Sequence, residues 1–121
     1  MDEETRQALA RDRTIDITTI GRTSGQPSRK EMAFFNFDGD IYITGTPGKR
    51  DWYANLLANP AFTFHLKQSA TKDLAATVTP ITDPDARHPV LMRILDRLNR
   101  SADLPAWMAD SPLVKVAFTD G

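Results

Sequence analysis

The sequence predicts a mainly β, α+β domain in which six antiparallel strands close into a barrel with helices inserted between them. Three observations lead there. Short β-branched or alternating runs recur along the chain, each bounded by Gly, Pro, Asn or Asp. The first three runs are joined by turn-rich segments with no helix between them, which rules out a parallel sheet built from strand–helix–strand units. Six short strands in 121 residues would leave exposed edges unless the sheet closes on itself. The length suits one domain, residues 1–121, with 1–13 as an N-terminal helical extension.

The elements follow in order. Glu3 to Arg13 reads as a polar helix gripping a core through Leu9 and two alanines. Ile15–Ile20 (IDITTI) is β-branched nearly throughout and predicts a strand. Gly21–Pro27 (GRTSGQP) is a loop, Arg29–Phe37 the second strand, and Asp38-Gly39-Asp40 a hairpin turn leading to a third strand at Ile41–Thr44. After the loop Gly45–Lys49, the spacing of Trp52, Tyr53, Leu56 and Leu57 predicts a helix that Asn59-Pro60 stops. Ala61–Leu66 and Leu74–Ile81 are strands. Asp83-Pro84 opens a helix whose apolar stripe is Val90, Leu91, Ile94, Leu95 and Leu98, with Pro89 expected to kink or restart it. A helical turn at Leu104–Asp110 and a strand at Leu113–Phe118 complete the chain.

Composition narrows the function classes. A net charge of -1 argues against a general nucleic-acid binder, which normally carries a clear basic excess. With no cysteine there is no disulfide frame, thiol nucleophile or zinc–thiolate site, and His65 and His88 alone make no histidine-rich metal centre. The polar start MDEETRQALARDR has no apolar signal region, and no apolar run has the length of a membrane span, so a cytoplasmic location is expected. Ser24 has no evident histidine base and no nucleophile elbow, which disfavours a hydrolase triad.

Two loops carry the chemistry. Gly21-Arg22-Thr23-Ser24-Gly25, with Arg29 and Lys30 following, offers glycine backbone, hydroxyls and cationic side chains that suit a phosphate; as a solvated hairpin loop it would need none of them. Gly45-Thr46-Pro47-Gly48-Lys49-Arg50 feeds a helix N-terminus, where free N–H groups and the helix dipole favour an anion, or where Asp51 simply caps the first turn. Chain reversals bring Gly21 and Gly45 to one rim, so Arg22, Arg29, Lys30, Lys49 and Arg50 are expected to converge on a phosphorylated small molecule. Trp52 and Trp107 either stack on a planar ring or fill core. His65 is expected at the surface or at a pocket rim.

These segments together resemble the deazaflavin-dependent nitroreductase family, a branch of the split β-barrel flavin-binding superfamily. The resemblance rests on Thr19, Gly21, Arg22, Ser24 and Gly25, on Gly45 to Gly48, and on Trp52, Tyr53, Asn55, Leu56, Ala58, Asn59 and Pro60, with a closing SPLVKV strand. It implies a six-stranded split barrel that binds coenzyme F420 and passes a hydride to quinones, nitroaromatics or activated enones. It further implies that Arg22, Thr23, Ser24, Arg29 and Lys30 hold the phosphate and ribityl chain. Thr46, Pro47 and Gly48 would line the deazaflavin ring, and Asp51, Trp52 and Asn55 would border the cleft. Where relatives carry lid tyrosines this chain has Trp107 and Met108, expected in the substrate pocket; the segment between Gly48 and Trp52 is shorter than the family's, and Glu31 replaces an apolar position. The alternatives are an FMN enzyme of the same fold and a non-catalytic flavin or deazaflavin carrier. The expected partner is a small-molecule acceptor, with no nucleic acid, membrane or metal, and the chain is expected as a monomer or homodimer. A proton for the reduced acceptor is expected from water or Tyr53.

Overall fold

The computed structural model describes residues 1–119. Seven antiparallel strands form one sheet: β1 (Thr14–Ile20), β2 (Pro27–Ala33), β3 (Phe35–Phe37), β4 (Asp40–Thr44), β5 (Ala61–Lys67), β6 (Thr71–Pro80) and β7 (Leu113–Phe118), in the order β2-β1-β5-β6-β7-β4-β3. Four helices accompany them: α1 (Glu3–Arg11), α2 (Asp51–Ala58), α3 (Pro84–Arg97) and α4 (Leu104–Asp110).

The count of seven corrects the expected six, and the difference lies at one residue. The run expected as a single strand from Arg29 to Phe37 is divided at Phe34, whose ring is buried edge-on against Phe64 with centroids 5.5 Å apart. Before the bend the chain pairs with β1; after it, with β4. The two outermost strands of the sheet are therefore consecutive in sequence, and the sheet curls into a half-barrel whose edges are tied through Phe34.

Alternation sorts the side chains. Ile15, Ile17, Ile41, Ile43, Phe62, Phe64, Leu66, Val78, Val114 and Val116 point into the curl, where Ala8 and Leu9 of α1 and Trp52 and Leu56 of α2 close the core. A second apolar cluster lies on the opposite face of β3, β4 and β7. There Phe35, Phe37 and Leu113 meet Leu91, Ile94 and Leu95 of α3 and Trp107 of α4. The outer face of β2, β1, β5 and β6 carries polar and charged side chains, Asp16, Thr18, Arg29, Glu31, His65 and Asp73 among them.

Local chemistry explains the joints. Asp38 and Gly39, at φ 57 and 98, make the tight turn between β3 and β4, and Asn36 Oδ1 accepts from the Gly39 N–H at 2.8 Å. Asp2 caps α1 through the Thr5 N–H, and Asp83 caps α3 through the Ala86 N–H. The α3 helix runs unbroken through Pro89, with no restart.

Candidate functional site

The two loops singled out from sequence flank the N-terminal half of α2. The first, between β1 and β2, is tied to the helix by Arg22. Its backbone N–H and its Nη1 both donate to Asn55 Oδ1, at 3.1 and 2.9 Å, and its Nη2 lies 3.3 Å from Asp51 Oδ1. Asn55 is buried, and its Nδ2 donates to Thr19 Oγ1 at 3.2 Å, so one side chain fastens loop, strand and helix together. Arg22, Thr23, Ser24, Asp51 and Asn55 line one cavity of about 380 Å³. A Cβ on Gly21 would stand 2.4 Å from Ser24 Oγ, so a larger residue there would turn that hydroxyl out of its present place.

The second loop, between β4 and α2, folds around Arg50. Its Nη2 donates to the Thr46 carbonyl at 2.8 Å and its Nη1 to the Lys49 carbonyl at 3.0 Å. Gly48 has φ 130, and a Cβ there would lie 3.0 Å from Arg50 Nη1; its N–H donates to the Asp110 carbonyl, joining this loop to the end of α4. Arg50 is the N-cap of α2 and makes no side-chain cap bond, so among the described residues no capping side chain satisfies the first-turn N–H groups of the helix. Asp51, considered above as the cap, is instead the first helical residue.

A second cavity, about 570 Å³, opens between this loop and α4. Its walls include Pro47, Gly48, Lys49, Tyr53, Arg87, Met108, Asp110 and Ser111. Ring-lining and acceptor-pocket residues assigned separately from sequence, Pro47 and Gly48 on one side and Met108 on the other, thus share one space. Tyr53 is half-buried in its wall.

Other expected residues are placed elsewhere. Arg29 and Lys30 alternate across β2: Arg29 stands opposite Thr18 on the outer face, Lys30 opposite Ile17 on the inner side, so they do not converge. Arg29 Nε donates to Asp16 Oδ2 at 3.0 Å, and Lys67 Nζ reaches Asp16 Oδ1 at 2.6 Å and also Glu31. Hydrogen bonds from Lys67 and then Arg29 hold the Asp16 carboxyl below its ordinary range, while Asp16 and Glu31 push the Lys67 ammonium up. Trp52 and Trp107 are core residues, 6% and 3% exposed, and neither lines these cavities. Trp52 meets Tyr53 edge-on at 5.9 Å, and the Arg100 guanidinium sits 5.4 Å from the Trp107 ring. His65 is buried on the outer face, between Thr18 Oγ1 at 2.7 Å and Asp73 Oδ1 at 2.6 Å, rather than at a rim. Among the described residues no cluster of His, Cys, Asp or Glu could hold a metal ion, and no helix is long and apolar enough to cross a membrane.

Sequence reasoning missed Arg87 and Ser111. Arg87 is buried and uses its guanidinium on main-chain oxygens: Nε to Met108, Nη1 to Ile81, and Nη2 to Trp107 and Ser111, at 2.8 to 3.2 Å. The signal was present in the spacing, since Arg87 precedes Leu91, Ile94 and Leu95 at helical intervals and so lies on the buried face of α3.

The family described as F420H(2)-dependent quinone reductase matches residues 3–102. No curated protein sequence matches the chain significantly. Among solved structures, the conserved hypothetical protein Rv2991 from Mycobacterium tuberculosis superposes with a TM-score of 0.75 at 23% identity, over 98% of this chain and 81% of that one. A protein described as an F420 reductase gives 0.71 at 23% identity, over 98% and 96%. The heme storage protein HutZ from Vibrio cholerae gives 0.72 at 15% identity, over 99% and 91%. At these identities the structures establish a shared fold.

Proposed function

Since the chain belongs to the F420H(2)-dependent quinone reductase family, we propose that it is a deazaflavin-dependent reductase that passes a hydride from reduced F420 to a small organic acceptor, a quinone, nitroaromatic or activated enone. The observation that carries the reading is the pair of cavities flanking the start of α2. One has the donor set of a phosphate site; the other has the size of a ring site and, in Pro47, Tyr53 and Met108, an apolar surface for it.

The residues fit the group. Arg22 and the hydroxyls of Thr23 and Ser24 line a cavity that the α2 N-terminus adjoins. The Arg22–Asp51 pair is exposed, 44% and 88% by side chain, so it contributes little and a phosphate displaces Asp51 at small cost. The backbone of α2 supplies first-turn N–H groups that no capping side chain satisfies among the described residues. Pro47 and Gly48 then border the ring, with Tyr53 and Met108 across the same space. Bound there, the deazaflavin supplies the hydride chemistry. The protein holds its phosphate, orients its ring and shields the acceptor from water. Tyr53, whose phenol has no hydrogen-bond partner among the described residues, stands at the wall where a proton is needed.

Arg29 enters this reading in a lesser role, since it must leave Asp16 to reach a phosphate. Fluorescence titration with F420 tests the assignment. Arg22→Ala is expected to weaken binding by about 1.5–3 kcal/mol, the range for a hydrogen bond to a charged group. Asp51→Asn, which removes the competing carboxylate, is expected to leave binding unchanged or tighter. Equal affinity of wild type and Arg22→Ala removes the first cavity as the phosphate site.

A further inference from the structure

The wall of the larger cavity formed by Arg87 and Ser111 is short of an acceptor. Arg87 is 7% exposed, yet no carboxylate pairs with it among the described residues. A guanidinium has five N–H donors. Four of its hydrogen bonds run to carbonyls, which satisfy donors but do not cancel a full charge, and one N–H on Nη1 is left over. Ser111 accepts one of those bonds through its carbonyl at 2.8 Å, and its own hydroxyl is buried with no partner among the described residues. Both residues line the cavity, and they meet through the bond from Nη2 to the Ser111 carbonyl. A buried uncompensated charge is costly, and an anion that reaches it recovers that cost.

We propose that this wall is an oxyanion site: it selects acceptors that carry a negatively charged oxygen, or acquire one on reduction. This deepens the functional reading above and rests on the larger cavity being the acceptor's. A quinone that takes up a hydride gains two electrons and one proton and becomes a hydroquinone monoanion. Its charge stays on oxygen until a second proton arrives, and the reduced cofactor is oxidised by the same two electrons. Arg87 and Ser111 act where that charge collects, fixed beforehand by the tethers of α4.

Arg87 itself cannot be replaced cleanly, because its removal would take a buried donor from four carbonyls, three of them in or just after α4. The test is therefore a pair of ligands, titrated calorimetrically into the full-length protein without cofactor. Lawsone, a hydroxynaphthoquinone, is anionic at neutral pH; menadione has the same ring with a neutral methyl group. Lawsone is expected to bind roughly tenfold tighter or better, the range of a hydrogen bond to a charged group. Ser111→Ala is expected to reduce that preference severalfold while the thermal midpoint stays level or rises, since the hydroxyl has no partner to lose. Lys49→Gln, an exposed cation on the same rim, is expected to keep the preference. Equal affinity for the two quinones overturns the proposal, and so does a preference that vanishes with Lys49. A fall in thermal midpoint for Ser111→Ala with the preference intact removes Ser111 from the site. Because these titrations need no cofactor, a failed F420 titration beside an intact preference overturns the cofactor reading alone.

Discussion

Asn55 is buried, and its amide is used from both ends, accepting from Arg22 and donating to Thr19. Asn55→Ala leaves the Arg22 N–H and the Thr19 hydroxyl without that partner, and unfolding in denaturant is expected to show a loss of about 1–3 kcal/mol. Leucine substitution, similar in size, is expected to do no better, because the loss is of hydrogen bonds rather than volume. Asp16 works through charge. Its folded carboxyl is held below the ordinary value of 3.8 by Lys67 and Arg29, so its contribution is present above that value and disappears as acid protonates the folded form. Comparing Asp16→Asn with wild type by thermal midpoint should therefore show a gap at neutral pH that narrows below about pH 4. At this scale the sequence was informative about residue type and silent about pairing. Nothing in the run Arg29-Lys30-Glu31 says that Arg29 would face Asp16 while Lys30 faced inward, because that depends on the register between β1 and β2.

Helices and strands were the most legible level. Apolar spacing placed α2 and α3 within a few residues, since each buries one stripe and the stripe is written in the sequence. What periodicity could not convey was the fate of single disruptors. Pro89 lies inside α3 with its ring exposed and the helix unbroken around it. It has no N–H to give the Asp85 carbonyl one turn back, so Pro89→Ala is expected to raise stability by about 1–2 kcal/mol after the greater freedom of the unfolded chain is subtracted. A drop in the unfolding midpoint would show that the ring is packed against something the helix needs. Arg87 was hidden for a related reason. An arginine on a buried helical face looks like a break in an apolar stripe until the carbonyls of another element come to meet it.

The whole molecule turns on Phe34. The barrel class was legible because antiparallel links without intervening helices leave few other arrangements, but the strand count was not, because a bend leaves no polar or glycine signature when a phenylalanine makes it. Phe34→Ala removes a ring that is 4% exposed and edge-on to Phe64, and the expected cost is about 3–5 kcal/mol, read from denaturant midpoints. Phe34→Leu, which keeps much of the volume, is expected to lose far less. The bend also decides how the wall can come apart. Where the first and last staves of a curled wall are stitched by one peptide link, the seam cannot part like a hinged door. The two staves cannot drift apart without drawing the Phe34 ring away from Phe64, so the wall is expected to open only when the whole domain melts.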